Sequence, residues 1–348
     1  MRTQNPLASD LDHILDHTRD LWDELRGQQI FITGGTGFFG CWLLESFIWA
    51  NENLNLDAHA TVLTRSPEAF QVKAPHLAGN EAVTLIQGDV RTFDFPSGTF
   101  SHIIHAATET STKLNDENPL SMLDTIVAGT RHTLDFAKTC GTKKFLLTSS
   151  GAVYGKQPPE LTHIPEDYPG APDPMDPKSA YGQGKRIAEH LCTLYARDTG
   201  IEMKIARCFA FVGPYLPLDV HFAIGNFIRD AMNGGPIIVK GDGTPYRSYL
   251  YAADLAVWLW TILFKGKSCR PYNVGSDEAV SIVEVAEQVA HCFSPILQVE
   301  IRGRPNRNRQ EPAERYIPDA DRAKNELGLG KLTSLRDGIA RTICSQQG

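Results

Sequence analysis

A glycine-rich stretch near the start of the chain, Gln28 to Gly40, restricts the possible fold more than any other part of the sequence. The β-branched and aromatic run Ile30-Phe31-Ile32 predicts a buried strand, and a helical pattern begins at Cys41. The turn between them contains Gly34, Gly37 and Gly40. Glycine permits a tight turn and a close approach of backbone to a pyrophosphate, and the following helix N-terminus attracts phosphate. The stretch therefore predicts a strand–turn–helix unit that binds a dinucleotide.

Further apolar runs repeat the strand pattern and alternate with helical or loop segments. The predicted strands are 29–33, 59–64, 83–87, 102–105, 144–149 and 202–208, and a helix is predicted at about 179–198. This alternation predicts an α/β fold, a Rossmann-type doubly wound parallel sheet with a smaller C-terminal substrate-binding lobe. We expect a helical extension at 1–27, a dinucleotide-binding domain mainly at 28–212, and a lobe mainly at 213–348 with some segments returning to the core.

Composition excludes several classes of function. The chain is 42% hydrophobic and 22% charged, as in soluble globular proteins, and its net charge of −7 argues against nucleic acid and anionic membrane as partners. Seven scattered cysteines without a C-x-x-C motif favour reduced thiols in a cytoplasmic protein. The longest apolar stretch, Leu255 to Phe264, is too short to span a bilayer. His13 and His17 have no third ligand nearby in sequence, so we expect no metal site.

The end of the second predicted strand bears on which dinucleotide binds. NAD sites commonly have an acidic residue there that accepts from the ribose hydroxyls. This chain has Thr64 followed by Arg65, which is able to pair with the 2′-phosphate of NADP, to stack on adenine or to face solvent. Asp89, after the third strand, suits a carboxylate near the adenine amino group. The predicted cofactor is therefore NAD(P), with the choice of form left open.

A tyrosine and a lysine provide the candidate acid–base chemistry. Tyr181 and Lys185 are four residues apart, on one face of the predicted helix. An ordinary tyrosine has a pKa near 10 and is a poor base at neutral pH, whereas a nearby ammonium lowers that pKa. The segment from Thr148 to Gly155 ends the preceding strand and places the Ser150 hydroxyl at the carboxyl edge of the sheet. Ser150, Tyr181 and Lys185 are the candidate catalytic residues.

Taken together, these motifs resemble the extended short-chain dehydrogenases/reductases of the nucleotide-sugar epimerase/dehydratase family. The resemblance runs from about residue 28 to the end. It also rests on His105-Ala106-Ala107, Arg207-Cys208-Phe209, Gly213-Pro214, Arg247-Ser248-Tyr249-Leu250-Tyr251 and Tyr272-Asn273-Val274-Gly275. It implies that Ser150, Tyr181 and Lys185 form a catalytic triad with Tyr181 as acid/base. It also implies a homodimer through the helix bearing Tyr181 and the preceding one, about Leu120–Lys138.

The same resemblance implies two sets of binding residues. The cofactor set is Gly34, Thr36, Gly37, Phe38, Phe39, Gly40, Arg65, Asp89, Val90, Ala106, Ala107, Thr148, Tyr181, Lys185 and Phe209. The set for a nucleotide-diphosphate sugar is Glu109, Ser150, Gly151, Asn226, Arg247 and Arg309. Arginines suit this second set because a guanidinium grips phosphate through two parallel hydrogen bonds.

Departures from the family pattern bear on the reaction. Related 4,6-dehydratases carry Asp-Glu directly after the catalytic hydroxyl, and related decarboxylases keep a glutamate nearby, whereas this chain has Gly151 and Ala152. Small residues there resemble 4-epimerases. Ile126 and Ala210 also stand where the family usually has asparagine. The predicted function is NAD(P)-dependent modification of a nucleotide-diphosphate sugar, most simply epimerisation through a transient 4-keto intermediate.

Three alternatives stay open. An NADPH-dependent 4-ketosugar reductase is favoured by Arg65. A sugar-nucleotide 4,6-dehydratase would need its acid and base relocated, and Glu109 is the candidate carboxylate. A dinucleotide-sensing or scaffold protein is the non-enzymatic alternative, and the intact set of tyrosine, lysine and serine argues against it.

Overall fold

A computed structural model describes residues 5–108, 112–219, 222–303 and 312–347. Backbone contacts divide the chain into two compact units. Unit 1 consists of Met1–Gly155, Ala171–Arg207 and Ala256–Tyr272, and unit 2 of Lys156–Gly170, Cys208–Leu255 and Asn273–Gly348.

This division differs from the boundaries expected from the sequence. The N-terminal extension belongs to unit 1. Unit 1 also includes residues 256–272 from the C-terminal half of the chain. Its middle segment ends at Arg207, whereas the sequence predicted a boundary at 212. Segment 156–170 belongs to unit 2 because its polar and apolar contacts lie there. The backbone N–H of Ile317 donates to Gln157 Oε1 at 2.9 Å, and Ile164 forms a β-bridge with Pro318.

Within the described residues, seven strands form one large sheet. Six of them are β1 (Gln29–Thr33), β2 (His59–Thr64), β3 (Val83–Gln87), β4 (His102–His105), β5 (Lys144–Ser150) and β6 (Glu202–Cys208), and the seventh comes later in the chain. The strands that follow are β7 (Phe211–Val212), β8 (Ile237–Val239), β9 (Tyr246–Arg247), β10 (Leu250–Tyr251), β11 (Pro271–Val274), β12 (Val280–Ser281), β13 (Val299–Ile301) and β14 (Arg315–Tyr316). The sequence-predicted strands are confirmed, and only β5 differs, since it extends one residue further, to Ser150.

The large sheet is parallel and has the order β11-β6-β5-β4-β1-β2-β3. Its central strands are almost entirely buried because their β-branched and aromatic side chains face helices on both sides. The strand order reverses between β1 and β4, and ligands of such sheets bind outside the carboxyl ends at this point. The predicted Rossmann-type α/β fold is confirmed.

Twelve helices connect these strands within the described residues. Those before residue 200 are α1 (Ala8–Thr18), α2 (Phe38–Leu54), α3 (Pro67–Lys73), α4 (Pro75–Ala78), α5 (Thr112–Glu117), α6 (Pro119–Thr139) and α7 (Ala180–Thr199). The later ones are α8 (Ala223–Met232), α9 (Ala252–Lys265), α10 (Ile282–Ala290), α11 (Asp321–Leu327) and α12 (Leu335–Gln347). Short 3-10 helices lie at Arg19–Leu25, Gly151–Tyr154 and Pro177–Ser179.

The strands of unit 2 form three small sheets. Their orders are β10-β7, β12-β9-β14 and β13-β8. Helix α10 begins with a capping box, in which the Ser281 hydroxyl accepts from the Glu284 N–H while the Glu284 carboxylate accepts from the Ser281 N–H.

The N-terminal extension packs onto the rest of unit 1, at the amino ends of the strands of the large sheet. Trp22 is completely buried, and its ring lies 4.6 Å from that of Trp260. The Glu24 carboxylate accepts from Lys144 Nζ at 2.8 Å and lies 3.2 Å from Nε2 of His102. Lys144 and His102 begin β5 and β4, so the extension covers the edge of the sheet opposite Ser150.

Replacing Trp22 with Ala should lower the free energy of unfolding by about 3–5 kcal/mol, because it leaves a cavity beside Trp260. Urea unfolding followed by far-ultraviolet circular dichroism measures the loss. Trp49→Ala is the matched control, since Trp49 is only half-buried and should cost less. Equal losses in the two variants would contradict the burial of the extension.

Candidate active site

The glycine turn follows β1 and has the shape that a dinucleotide requires. Gly34 has a φ of +73°, and a Cβ there would lie 2.5 Å from the backbone of Ala106. A Cβ on Gly40 would lie 2.3 Å from Gly35 Cα, so only glycine lets α2 start directly against the turn. Gly37 is exposed and precedes the first residue of α2, which leaves the backbone at the helix N-terminus accessible to phosphate. These residues fit the pyrophosphate of a dinucleotide.

Charged residues surround the end of the turn where the adenosine is expected. Two guanidinium nitrogens of Arg91 donate to the Asp89 carboxylate at 2.8 Å each, and these bonds hold the pKa of Asp89 at about 2. Arg65 is exposed after β2. Lys73, in the last turn of α3, donates to the carbonyl oxygen of Thr36 at 2.8 Å. Sequence reasoning missed Lys73 and Arg91 because no local pattern connects them to the turn.

The other predicted cofactor residues of unit 1 line the same edge. Phe38 and Phe39 are the first residues of α2, with ring centroids 5.8 Å apart. Val90 is buried against α6, where a Cβ on Gly129 would lie 2.8 Å from its side chain. Ala106 and Ala107 follow β4 and are half-buried. All of these residues stand at the carboxyl ends of the central strands.

His105 connects three elements beneath the turn. Its Nδ1 lies 2.8 Å from Thr33 Oγ1 at the end of β1, and its Nε2 lies 3.1 Å from Thr130 Oγ1 on α6. The backbone N–H of Ala107 also donates to Thr33 Oγ1, at 3.2 Å. Burial, with a smaller contribution from the Lys185 charge, lowers the pKa of His105 to about 3. The imidazole is therefore neutral and acts as a structural link.

Ser150 and Tyr181 belong to elements that touch each other. Ser150 ends β5, and its Oγ accepts from the backbone N–H of Ala152 at 3.1 Å. A Cβ on Gly182 would lie 2.7 Å from the Ala152 carbonyl oxygen, so the turn after Ser150 contacts α7 one residue beyond Tyr181. The Tyr181 N–H donates to Asn115 Oδ1 at 3.2 Å. The strand end and the helix start are thus brought together as the sequence predicted.

Lys185 is the point at which several elements of the site meet. Its side chain is 2% exposed, and Nζ donates to the Thr148 carbonyl oxygen at 2.8 Å and to Thr108 Oγ1 at 2.7 Å. Nζ also lies 5.9 Å from the centroid of the Tyr181 ring. An ammonium held at this distance in a buried setting favours the ionised form of the phenol. Sequence reasoning placed Lys185 and Thr148 here and missed Thr108.

A partly buried ion pair supports the strand that bears Ser150. The Glu189 carboxylate, on α7, accepts from Ser149 Oγ at 2.5 Å and from Arg207 Nε and Nη2 at 3.0 and 2.7 Å. Arg207 Nη1 donates to the Tyr154 hydroxyl at 2.9 Å. Although burial opposes the charge, the Glu189 carboxylate raises the pKa of Arg207. The spacing of Glu189 four residues after Lys185 was the available sequence signal for a shared helix face.

The remaining predicted residues belong to unit 2 or lie outside the described ranges. Phe209 is in unit 2, with its ring 4.7 Å from that of Tyr316. Asn226, on α8, accepts from Arg229 at 3.0 Å, and Arg247, on β9, donates to Glu314 at 2.7 Å. The residues outside the described ranges are Glu109 and Arg309.

In the part of the chain that the structure describes, no three or more histidine, cysteine, aspartate or glutamate side chains are grouped so as to hold a metal ion. No helix of the same ranges combines the length and the apolar character that crossing a membrane requires.

Comparisons with known proteins agree with this geometry. A family model described as "NAD dependent epimerase/dehydratase family" matches residues 30–275. UDP-glucuronic acid decarboxylase 3 of Arabidopsis thaliana is 32% identical over 312 residues, which cover 89% of this chain and 86% of the plant protein.

Solved structures share the fold. UDP-glucose 4-epimerase of Thermotoga maritima superimposes with a TM-score of 0.78 at 21% identity, covering 92% of this chain and 99% of the epimerase. A dTDP-glucose 4,6-dehydratase of Streptomyces venezuelae, solved with NAD bound, has a TM-score of 0.75 at 22% identity and covers 92% and 97%. These likenesses establish the fold and leave the reaction open.

Replacing His105 with Gln should flatten the pH dependence of stability. The folded state lowers the pKa of His105 from 6.5 to about 3, so its stabilisation is present above pH 6.5 and is lost as the pH falls towards 3. Between pH 7 and 5 the wild type should lose free energy of unfolding faster than the variant, by at most about 1.4 kcal/mol per pH unit. Urea titrations at several pH values measure the slopes.

Thr130→Ser is the control for this prediction, since it keeps the hydroxyl beside His105 Nε2 and should leave the wild-type slope unchanged. A slope for the His105 variant that equals that of the wild type would contradict the neutral, buried state of His105.

Proposed function

Because the chain belongs to the NAD-dependent epimerase/dehydratase family, we propose that it oxidises and re-reduces C4 of a nucleotide-diphosphate sugar. The observation that carries this proposal is the placement of Lys185. Its ammonium is buried, held by two acceptors and 5.9 Å from the Tyr181 ring, as a tyrosine acid/base requires.

Each residue of the proposed triad has a definite part. Tyr181, favoured as a phenolate by the Lys185 charge, takes the proton of the C4 hydroxyl, and the Ser150 hydroxyl donates a hydrogen bond to the same oxygen. A nicotinamide held at the glycine turn would supply the redox chemistry, as the acceptor and later the donor of the C4 hydride. The proton then goes back from Tyr181 to the sugar oxygen, so the phenolate is restored.

Epimerisation is the simplest outcome of this chemistry. Gly151 and Ala152 follow Ser150 in a 3-10 turn and carry no group that transfers a proton. Removal of water from C5 and C6 needs an acid and a base there, and the related decarboxylases keep a glutamate nearby. A sugar that rotates as its 4-keto form and is reduced on its other face needs no acid or base besides Tyr181. Although the chain is 32% identical to a named decarboxylase, we base the proposed reaction on the small residues Gly151 and Ala152 after Ser150.

The nucleotide diphosphate is proposed to bind residues of unit 2. Asn226 and Arg247 are half-buried there, and the Arg247 guanidinium is already oriented by Glu314. Arg309 is proposed as a further phosphate ligand by family resemblance. A guanidinium paired at an exposed carboxylate is readily shared with a diphosphate, because an exposed ion pair contributes little free energy.

We further propose a cytoplasmic homodimer that pairs through α6 and α7. Leu120 on α6 is 72% exposed and Ile187 on α7 is 41% exposed, so both helices carry apolar surface that a second copy would cover. All seven cysteines are free thiols, as a reducing compartment would keep them.

A 4-ketosugar reductase that uses NADPH is the second candidate. Arg65 follows Thr64 where an acidic residue is usual, and Lys73 lies on the glycine turn at Thr36. Two cations at this end of the site favour a 2′-phosphate. The same triad would protonate the oxygen of a keto sugar supplied from outside.

Replacing Tyr181 with Phe should lower turnover by at least about 100-fold, because it removes the acid/base, while dinucleotide binding and folding persist. Turnover assays and isothermal titration with NAD⁺ measure the two effects. Tyr195→Phe is the matched control, since Tyr195 lies on the same helix with its hydroxyl bonded to Asp135. Retained turnover in the Tyr181 variant would remove Tyr181 from the mechanism.

Mass spectrometry of UDP-, dTDP-, GDP- and CDP-sugars incubated with the enzyme and no added reductant tests the reaction type. We expect a product of unchanged mass and altered chromatographic retention, which identifies epimerisation and the nucleotide. Loss of water or of carbon dioxide would contradict the proposal. Turnover only of a 4-keto sugar with added NADPH would instead establish the second candidate.

A further inference from the structure

We propose that Thr108 is a positioning residue for Lys185, and that its hydroxyl keeps the ammonium where it favours ionisation of Tyr181. This inference rests on the proposed acid/base function of Tyr181. Neither the motifs of the sequence nor the family resemblance singled out Thr108. Its hydroxyl is the side-chain acceptor that receives a 2.7 Å hydrogen bond from Lys185 Nζ.

The orientation of the Thr108 hydroxyl is determined by a second hydrogen bond. Thr108 Oγ1 donates to the carbonyl oxygen of Ala107 at 2.8 Å. A hydroxyl has one proton and two lone pairs, so committing the proton to Ala107 leaves lone pairs for the incoming N–H of Lys185. The hydroxyl therefore meets the ammonium as an acceptor, and the pair is charge-assisted.

The backbone that carries Thr108 is itself held in place. The Ala107 N–H donates to Thr33 Oγ1 at 3.2 Å, and the Gly34 turn approaches so closely that a Cβ there would lie 2.5–2.6 Å from Ala106 and Ala107. Segment 106–108 is thus packed between the glycine turn and α7. A shift of Ala106 or Ala107, which precede Thr108, would require the turn to move.

Two of the oxygens that accept from Lys185 Nζ come from different segments of the chain. Thr148 O comes from β5, and Thr108 Oγ1 comes from the segment after β4. A lysine side chain has about 2 kcal/mol of rotamer entropy to lose, and each acceptor restricts that freedom. The stabilisation of a phenolate falls with its distance from the ammonium, so loss of one acceptor weakens it.

A purely structural role for Thr108 makes a different prediction. If its hydroxyl only tied segment 106–108 to α7, its removal would lower stability and leave the ionisation of Tyr181 unchanged. The positioning role requires the ionisation to change, and a serine at the same position to restore it.

The test compares Thr108→Val, which keeps the shape and removes the hydroxyl, with Thr108→Ser, which keeps the hydroxyl. Each protein is saturated with NAD⁺ and titrated with base while the ultraviolet absorbance of phenolate is recorded. The same titration of the corresponding protein with Tyr181→Phe is subtracted, so that the difference reports Tyr181 alone. No sugar substrate is needed.

We expect the midpoint pH of the Tyr181 signal to rise by about 0.5–1 unit in the valine variant and to return to the wild-type midpoint in the serine variant. Equal midpoints in all three proteins would overturn the inference. If Thr108→Val does not fold, Thr108→Ala replaces it under the same criteria. Absence of any Tyr181-dependent signal in the wild type below about pH 10 would instead overturn the proposed acid/base function itself.

Discussion

The contact between Gly34 and the backbone of Ala106 and Ala107 is the constraint on which the rest of the site depends. It requires a residue without a side chain at a φ of +73°, and it locks the turn after β1 to the segment after β4. These two strands flank the reversal in strand order. Through Thr33, His105 and Thr108, the same segment continues as hydrogen bonds to Lys185. The glycine turn and Lys185 are therefore connected through one continuous set of contacts.

Local sequence patterns were sufficient to predict the strands of the large sheet and the pairing of Tyr181 with Lys185. Strand bounds agreed to within one residue because buried parallel strands read as short apolar runs, and the pairing of Tyr181 with Lys185 followed from helical spacing. The placement of Thr108 could not be predicted, since it depends on a partner 77 residues away. The assignment of 156–170 to unit 2 depends on contacts between residues that are even further apart in sequence, such as Gln157 and Ile317. Local patterns contain no information on such pairs.

Two charged side chains of α7, Glu189 and Lys185, connect that helix to β5. The Glu189–Arg207 pair is partly buried and joined by two hydrogen bonds, and the Ser149 hydroxyl donates to the same carboxylate, so that β5 is connected to α7. Removing one partner would leave a partly buried charge without this compensation, which is costly. Lys185 donates to the neutral oxygens of Thr108 and Thr148. Its ammonium lies 5.9 Å from the centroid of the Tyr181 ring, where the proposed chemistry needs a positive charge.

The N-terminal extension alters what counts as the dinucleotide-binding domain of this chain. Family resemblance begins near Gln28, yet Glu24 supplies the carboxylate that meets Lys144 and His102 at the far edge of the sheet. A protein trimmed to start at Gln28 would leave the Lys144 ammonium without this partner and the Trp260 indole uncovered. The packed core of unit 1 therefore begins earlier in the chain than its recognisable motifs.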